Sequence, residues 1–215
     1  YRLDISTMSQ DNLRIKVHGA TGKLGMLILQ EGKEFSEPLS RDQTPQNCDV
    51  VIDVSSAAGT KALLSRLSGE ALLVGTTGEL PWTELEEYAK IAPVAVVSNF
   101  SVGIPLLLEL LGTALKILPE GWDIEVVEVH HNQKKDAPSG TAKRLVKAIE
   151  AEGFSDIPCH ALRAGDTFGE HTIWLCGPGE RLEFKHVATK REVFAIGAIR
   201  WAKWLSKQPN GLIKP

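Results

Sequence analysis

The hydrophobic pattern in the first half of the chain is typical of a parallel sheet. Short uninterrupted apolar runs occupy residues 50–54, 71–74 and 94–97, and helical stretches around residues 58–68 and 82–90 separate them. Strands that are apolar on both faces and alternate with helices are buried on both sides, as in α/β proteins. We therefore expect a parallel sheet with helices on both faces in this half.

A glycine-rich turn follows an earlier alternating strand, residues 13–18. The turn consists of Gly19, Ala20, Thr21, Gly22, Lys23, Leu24 and Gly25, and it runs directly into an apolar helix face. Glycines in this position permit a tight turn and let backbone N–H groups approach a pyrophosphate. The turn therefore predicts a dinucleotide site, although glycines at this spacing also occur where they serve only helix packing.

Polar turns also follow two of the later apolar runs. They contain Gly75, Thr76 and Thr77 in one case and Val97, Ser98, Asn99 and Phe100 in the other. Ligands of open α/β sheets bind outside the carboxyl ends of the strands. We therefore expect these residues to line the same dinucleotide crevice as the glycine-rich turn.

The region between residues 32 and 47 is short and contains Pro38, so no strand is predicted there. This is where the usual second strand of a dinucleotide-binding sheet, with its ribose-binding acid, should lie. Arg41 in this region, together with Lys23, is a candidate for holding an adenosine 2′-phosphate. A solvated loop charge is an equal alternative for Arg41, which leaves the choice between NADH and NADPH open.

The second half of the chain combines longer helices with alternating strands. The predicted elements are a helix from Gly103, a strand over residues 122–131, a helix over 139–152, a hairpin over 171–188 and a closing helix over 193–205. In the hairpin, Leu182, Phe184, His186 and Ala188 lie on one face, and Arg181, Glu183 and Lys185 lie on the other.

The segment between the strand 122–131 and the helix 139–152 concentrates reactive side chains. Successive strand residues point to opposite faces, so His130 shares a face with Glu128 while His131 does not. Ser139, Gly140 and Thr141 open the helix, whose free N–H groups attract an anion. With Lys134 between strand and helix, the segment predicts an anion-binding loop that delivers a proton. His171 and His186, on the strands of the hairpin, are interpreted as structural residues away from this loop.

Composition and charge exclude several other classes of protein. A net charge of −3 gives no reason to expect nucleic acid or a membrane surface as partner. Cys48, Cys159 and Cys176 lack metal-type spacing, which predicts buried free thiols, no metal site and a reducing compartment. No apolar run approaches the roughly 18 residues that span a bilayer. The cytoplasm is the expected location.

From His130 onward, the loop resembles the His-His-x-x-Lys-x-Asp-Ala-Pro-Ser-Gly-Thr-Ala signature of the dihydrodipicolinate reductase family. The resemblance covers about residues 13–206. It includes the segments 19–25, 51–56, 75–78, 99–103, 163–165, 169–172 and 194–200. Residues Tyr1–Thr7 precede Met8 and match nothing in the family, which leaves open whether they are native, and they are left out of the fold prediction.

The resemblance implies an activity and residue roles. A member of this family reduces 4-hydroxy-tetrahydrodipicolinate, or the dihydrodipicolinate formed by its dehydration, with NADPH or NADH in lysine and diaminopimelate biosynthesis. By resemblance, His130 is the proton donor and Lys134 the second acid/base candidate, and which of the two delivers the proton stays open. His131 would contact the substrate. Ser139, Gly140 and Thr141 would bind a substrate carboxylate.

The resemblance also implies a fold and an assembly. The expected fold class is α/β, with a Rossmann-type dinucleotide-binding domain over residues 8–101 to which residues 200–215 return. Residues 102–199 would form an α+β mixed-sheet domain for substrate binding and homotetramer assembly. Two alternatives are another Rossmann-type dehydrogenase of amino-acid metabolism and a catalytically silent nucleotide-binding regulator. The complete loop signature argues against the first, and the presence of His130 and Lys134 against the second.

Overall fold

The computed structural model describes residues 13–214, so the prediction for Tyr1–Thr7 lies outside the described residues. The chain divides into two compact units. One unit ends at Phe100 and resumes at Arg191, and the other comprises Ser101–Lys190. We call them the first and the second unit. The chain thus returns to the first unit earlier than the predicted residue 200.

The described residues form ten strands and six helices. The strands are β1 (Ile15–His18), β2 (Ser36–Leu39), β3 (Val50–Asp53), β4 (Ala71–Val74), β5 (Pro93–Val96), β6 (Asp123–His130), β7 (Cys159–Arg163), β8 (Glu170–Gly177), β9 (Glu180–Val187) and β10 (Gly211–Ile213). The helices are α1 (Lys23–Glu31), α2 (Ala57–Leu64), α3 (Trp82–Tyr88), α4 (Gly103–Leu115), α5 (Gly140–Ala151) and α6 (Glu192–Leu205).

The first unit contains a six-stranded parallel sheet in the order β10-β5-β4-β3-β1-β2. The apolar runs predicted as strands become β3, β4 and β5. Their side chains alternate between two cores, because Val50 and Ile52 pack with α1 and α6 while Val51 packs with α2 and α3. The predicted parallel sheet with helices on both faces is confirmed. Helix α6 belongs to one of these cores as a whole, which explains the early return of the chain.

The prediction that no strand lies between residues 32 and 47 is wrong. Strand β2 occupies this region at the edge of the sheet, and Val17 of β1 lies opposite Pro38. Proline lacks the N–H group that a central strand needs for two neighbours, but an edge strand bonds on one side only. Pro38 is therefore compatible with β2.

A buried carboxylate connects the ends of three elements in the first unit. Asp53, the last residue of β3, accepts hydrogen bonds from His18 Nδ1 at 2.9 Å, Ser55 Oγ at 2.6 Å and Thr60 Oγ1 at 2.5 Å. Both Asp53 and His18 are buried. Hydroxyl groups and an imidazole thus satisfy this carboxylate and fix the turns that follow β1 and β3.

The second unit contains a four-stranded mixed sheet in the order β7-β6-β8-β9, with β6 parallel to β7 and antiparallel to β8. Helices α4 and α5 cover one face of it. The core between them includes Ile104, Leu111, Val126, Leu145 and Ile173. Strands β7 and β10 were not predicted, because both are short and mostly exposed or half-buried and so show no apolar pattern.

Candidate active site

The helix-covered face of the second unit changes from apolar to polar along its strands. On β6, Ile124 and Val126 are followed on the same face by Glu128 and His130, because alternate residues share a face. Strand β8 places His171 opposite Glu128. Glu128, His130 and His171 are all buried, so a polar cluster continues the hydrophobic core at this end of the sheet.

The carboxylate of Glu128 is the centre of this cluster. One oxygen, Oε2, is hydrogen-bonded to His130 Nδ1. The other, Oε1, accepts from Arg163 Nη2 at 2.8 Å and from the backbone N–H of Ser139 at 3.1 Å. An ionised carboxylate only accepts hydrogen bonds, so Nδ1 of His130 carries the proton and Nε2 has a free lone pair when the ring is neutral.

Arg163 also holds the loop that carries Lys134. Its Nε donates to the carbonyl oxygen of Lys134 at 3.3 Å, and its Nη2 donates to that of Asp136 at 2.5 Å. The side chains of Lys134 and Asp136 form an ion pair at 2.8 Å. Asp136 therefore orients the Lys134 side chain, and Arg163 fixes the loop backbone to β7.

Helix α5 begins beside the same carboxylate. Ser139 is its N-cap residue, and its Oγ accepts from Ala142 N at 3.2 Å. Gly140 and Thr141 form the first turn, where backbone N–H groups have no partner within the helix. The anion-binding end of α5 and the Glu128–His130 pair thus lie next to each other through Ser139.

The expectation that His171 lies away from the loop is wrong. The rings of His130 and His171 are in edge contact, with centroids 5.2 Å apart, and His171 Nε2 lies 3.3 Å from Ser139 Oγ. His186 is opposite His171 on β9 and its Nε2 is 2.9 Å from Ser101 Oγ. Pairing of β6 with β8 and of β8 with β9 brings these residues together. His131 follows the last residue of β6 and is half-buried.

The glycine-rich turn of the first unit has the shape of a phosphate cradle. Gly19 has a φ of +86°, and an added Cβ would lie 2.8 Å from Ser55 N. A Cβ on Gly25 would lie 2.2 Å from the carbonyl oxygen of Gly19, so α1 packs directly on the turn. Gly22, the N-cap of α1, presents no side chain. Backbone N–H groups at this helix end are therefore open to a pyrophosphate, and the turn fits a dinucleotide.

The other predicted cofactor residues follow β4 and β5. They lie at the carboxyl ends of the parallel strands, as the glycine-rich turn after β1 does. Thr77 and Ser98 are exposed there. Gly75 has a packing role, because an added Cβ would lie 2.4 Å from the buried ring of Phe100. Gly197 of α6 has a similar role, since its Cβ would lie 1.8 Å from the carbonyl oxygen of Phe100. Phe100 is thus a core residue next to the predicted crevice.

Arg41 lies at the carboxyl end of β2. Leu39, the last residue of β2, is opposite His18, which immediately precedes the glycine-rich turn. Arg41 is exposed, and among residues 13–214 it has no ion-pair partner. The structure therefore brings Arg41 and the turn to neighbouring strand ends.

Comparisons with known proteins agree with this arrangement. The family model "Dihydrodipicolinate reductase, C-terminus" matches residues 103–214. A 4-hydroxy-tetrahydrodipicolinate reductase of Desulfovibrio desulfuricans is 42% identical, over 92% of this chain and 95% of its own length. The chain belongs to the 4-hydroxy-tetrahydrodipicolinate reductase family. A second member, from Anaeromyxobacter dehalogenans, is 41% identical over 76% of this chain and 70% of its own.

One solved structure of another protein has the same fold as this chain. The dipicolinate-bound dihydrodipicolinate reductase from Paenisporosarcina sp. TG-14 superposes with a TM-score of 0.72, covering 94% of this chain and 97% of that chain at 20% sequence identity. Membership in the reductase family confirms the resemblance, the oxidoreductase class, the place in lysine and diaminopimelate biosynthesis and the nicotinamide dinucleotide cofactor. No helix among the described residues is long and apolar enough to cross a membrane.

The protonation of the loop residues depends on burial and on their hydrogen-bond partners. Burial lowers the pKa of His130, the Glu128 carboxylate opposes this shift, and the charges of Lys134 and Arg163 add to it. Burial alone would raise the pKa of Glu128, but hydrogen bonds from Arg163, His130 and Ser139 lower it overall. Burial would likewise raise the pKa of Asp136, but the hydrogen bond from Lys134 lowers it overall. At neutral pH the site therefore contains two carboxylates, Glu128 and Asp136, each paired with a cation, and a largely neutral His130.

His171 and His186 are neutral at neutral pH, because the pKa of each is lowered. Burial and the nearby His130 lower the pKa of His171 to about 3, and burial also lowers that of His186. Ligand atoms of Glu128, His130 and His171 lie within 4.8 Å of one another, as in a metal site. Both oxygens of Glu128 already accept hydrogen bonds, and Arg163 is one of the donors. This arrangement disfavours a metal cation.

Sequence reasoning missed the roles of Glu128 and Arg163. The signal for Glu128 was present, because it continues the buried apolar face of Ile124 and Val126 and a buried carboxylate needs partners. Arg163 had no such signal. Its position opposite His130 depends on the register between β6 and β7.

Proposed function

We propose that the protein uses NADPH or NADH to reduce 4-hydroxy-tetrahydrodipicolinate, or dihydrodipicolinate, to tetrahydrodipicolinate. The observation that carries the proposal is the buried Glu128–His130 pair beside the N-terminus of α5 and the clamped Lys134. A double bond conjugated to a carboxylate accepts hydride only if a proton meets the developing charge. This site combines an anion clamp with two proton donors.

In this proposal the substrate carboxylate is bound by the N-terminal turn of α5. The backbone N–H groups of Gly140 and Thr141 and the hydroxyl groups of Ser139 and Thr141 supply hydrogen-bond donors there. Lys134 adds a positive charge that binds the dianion and stabilises the developing charge. His131, beyond the end of β6, contacts the substrate without exchanging a proton.

Either His130 or Lys134 delivers the proton. Protonated His130 would donate from Nε2, which lies near Gly169, since an added Cβ on Gly169 would be 3.0 Å from that atom. Glu128 would stabilise the imidazolium, as the carboxylate of a catalytic triad does. Because burial lowers the pKa of His130 in the free protein, we expect His130 to gain its proton when the dianion binds.

Paired substitutions of the two adjacent histidines test these roles. We expect His130→Gln to lower kcat by about 10²–10⁴-fold, the usual range for a lost general acid. His131→Gln should instead raise the substrate KM and leave kcat nearly unchanged. Steady-state rates with purified protein and freshly generated substrate measure both. A larger loss of kcat in His131→Gln would reverse the assignment.

A nicotinamide dinucleotide supplies the hydride when it is bound. The residues proposed to hold it are Gly19, Ala20, Thr21, Gly22, Lys23, Leu24, Gly25, Arg41, Gly75, Thr76, Thr77, Val97, Ser98, Asn99 and Phe100. The exposed side chains of Arg41 and Lys23 support a contact with the 2′-phosphate of NADPH. NADH lacks this phosphate.

Calorimetry with both cofactors tests the phosphate contact. We expect Arg41→Ala to weaken NADPH binding by about tenfold, equivalent to one charged hydrogen bond, and to leave NADH binding unchanged. Lys33→Ala removes another exposed charge of the first unit and should affect neither cofactor. Equal losses for NADPH and NADH in Arg41→Ala would rule out a selective phosphate contact.

The proposal includes a cytoplasmic homotetramer. Edge strands β7 and β9 expose Leu162, Leu182 and Val187, and exposed apolar residues on edge strands favour pairing with another subunit. The three cysteines are free, and burial raises the pKa of Cys48 to about 11, as suits a reducing compartment. Light scattering measures the assembly, and a monomer mass would contradict it.

A further inference from the structure

Three parts of the candidate site meet at the carboxylate of Glu128. Its Oε2 is bonded to the imidazole of His130. Its Oε1 bonds Arg163, which also binds the backbone of the loop at Lys134, and the backbone N–H of Ser139 at the start of α5. The proton donors and the anion clamp are therefore connected through one side chain that the substrate does not need to touch.

We propose that Glu128, held by Arg163, is a positioning residue that fixes the His130 tautomer and aligns it with the Lys134 loop and α5. The inference rests on the proposed role of His130. It goes further, because it assigns the tautomer and orientation of His130 to the ion pair between Glu128 on β6 and Arg163 on β7.

The burial of Glu128 explains why Arg163 is needed. Glu128 is fully buried, and an isolated carboxylate in such a place would lose its hydration without compensation. Arg163 supplies the opposite charge, and the N–H of Ser139 supplies a further donor. These two partners keep Glu128 ionised. Because an ionised carboxylate can only accept a hydrogen bond, the proton of neutral His130 must be on Nδ1.

The charged and titratable groups around His130 act in opposite directions. Glu128 on its own strand attracts the imidazolium form, whereas Arg163 on β7 and Lys134 in the loop repel it. From β8, His171 faces the ring as a neutral imidazole, and His186 on β9 lies behind it. Helix α5 contributes Ser139, which is uncharged. Removing Glu128 or Arg163 should therefore shift the proton affinity of His130 in opposite directions.

Replacing the carboxylate by an amide of the same shape tests the proposal. In Glu128→Gln, the amide oxygen can still accept from Ser139 N–H, while the amide NH₂ donates to Nδ1 of His130 and forces the proton to Nε2. We expect kcat to fall by about 10²-fold or more, as when a triad histidine adopts the wrong tautomer. Binding of NADPH should stay unchanged. Glu128→Asp keeps the charge and should recover part of the lost kcat.

Nitrogen-15 NMR of the His130 ring, without ligand, reads the tautomer directly. The expected proton position is Nδ1 in the wild-type protein and Nε2 in Glu128→Gln. The His130 limb of the kcat/KM pH profile should move to lower pH in Glu128→Gln and to higher pH in Arg163→Met. The same Nδ1 tautomer in wild type and Glu128→Gln, or shifts of the two pH limbs in one direction, would overturn the proposal.

A matched control is present on the same strand. Glu125 is also paired with a histidine, since His160 Nε2 lies 2.7 Å from its Oε2, but His160 is exposed. Glu125→Gln should change neither kcat nor its pH profile. If Glu128→Gln does not fold, the double variant Glu128→Gln/Arg163→Met removes both charges together and gives the same tautomer test. Full turnover in His130→Gln would refute His130 as the proton donor and leave Lys134 in that role, while the tautomer measurement would still decide the positioning by Glu128.

Discussion

Each unit of the protein contains a buried carboxylate paired with a histidine at the end of its sheet. In the first unit, Asp53 accepts from His18 and from two hydroxyl groups. In the second unit, Glu128 accepts from His130 and from the guanidinium group of Arg163. The pairs look alike, but their remaining partners differ in charge. We therefore expect proton transfer at the second pair, where a cation bonds the carboxylate, and a structural role for the first pair.

The binding features around the two pairs differ accordingly. Beside Asp53, the predicted ligand contacts are backbone N–H groups of a glycine-rich turn. Beside Glu128, they are side chains that carry or exchange protons, with Lys134 and His130 foremost. The first unit is thus suited to hold a cofactor without changing its protonation, and the second to act on a substrate.

The largest expected effect comes from removing the charge of Lys134. Lys134→Ala should lower turnover by about 10²–10⁴-fold, because the charge acts on the substrate dianion and on its developing charge. Cofactor affinity, measured by calorimetry, should stay unchanged. Lys135→Ala removes the exposed neighbouring charge and serves as the control. An equal loss of cofactor binding in Lys134→Ala would contradict the division of roles between the units.

Removing the carboxylate of the first pair should affect stability. Asp53→Ala leaves the buried Nδ1 of His18 without a partner and removes one of the two acceptors of the Ser55 and Thr60 hydroxyl groups, which should lower the free energy of unfolding by about 2–4 kcal/mol. The pH dependence of residual turnover should stay as in the wild-type protein. Urea denaturation and a pH–rate profile check both points. Asp49→Ala, which breaks a half-exposed ion pair with Arg14, should lower stability by less than about 1 kcal/mol. A shifted pH profile in Asp53→Ala would show that the two pairs are functionally alike.

A methyl group added to a glycine tests whether the cofactor site of the first unit depends on close backbone packing at the glycine-rich turn. Gly25→Ala places a Cβ 2.2 Å from the Gly19 carbonyl oxygen, so α1 must move away from the turn. We expect about 1–3 kcal/mol of destabilisation and weaker binding of NADPH. In Gly22→Ala the closest approach is 3.3 Å, and the strain should be smaller. Differential scanning calorimetry and cofactor titration measure the two effects. Equal effects of both substitutions would argue against tight packing at Gly25.

A further expected effect is a pH dependence of stability in the second unit, which is confined to acidic conditions. The pKa of His171 is lowered from 6.5 to about 3 in the folded protein. Above pH 6.5 the ring is neutral in both states, so stability is fully present. As the pH falls from 6.5 towards 3, the unfolded chain binds the proton first, and stability decreases by up to about 1.4 kcal/mol per pH unit.

Substitution of His171 should remove this part of the pH dependence. In urea denaturation between pH 4 and 7, His171→Gln should show a smaller slope of unfolding free energy against pH than the wild-type protein. His160→Gln replaces an exposed histidine and should keep the wild-type slope. A wild-type slope in His171→Gln would mean that other groups cause the acid sensitivity.

The predictions from the sequence were most accurate where a few adjacent residues determined the local structure. The apolar runs of β3 to β5, the glycine-rich turn and the start of α5 at Ser139 each depend on a few adjacent residues. Strand β2 was missed because Pro38 argues against a strand unless the strand lies at an edge, and edge position is a property of the whole sheet.

The candidate site was predicted only in part for the same physical reason. His130, Lys134 and Ser139 lie within one loop, so their spacing is visible in the sequence. His171 reaches Ser139, and Arg163 reaches Glu128, only through the pairing of β6 with β8 and β7. Those contacts depend on strand register over more than 30 residues, which local periodicity does not contain.

The contact between Phe100 and Gly197 has a consequence for the way in which the chain connects its two units. Phe100 is the last residue of the first unit before the chain leaves it, and Gly197 belongs to the helix with which the chain returns. The exit and the return are therefore joined within the first unit itself, as at a site that tolerates domain insertion. The intervening segment, Ser101–Lys190, carries every candidate proton donor and is a continuous stretch of chain between the two parts of the first unit. We therefore expect the first unit to keep its fold when that segment is replaced by another chain segment whose ends lie equally close together.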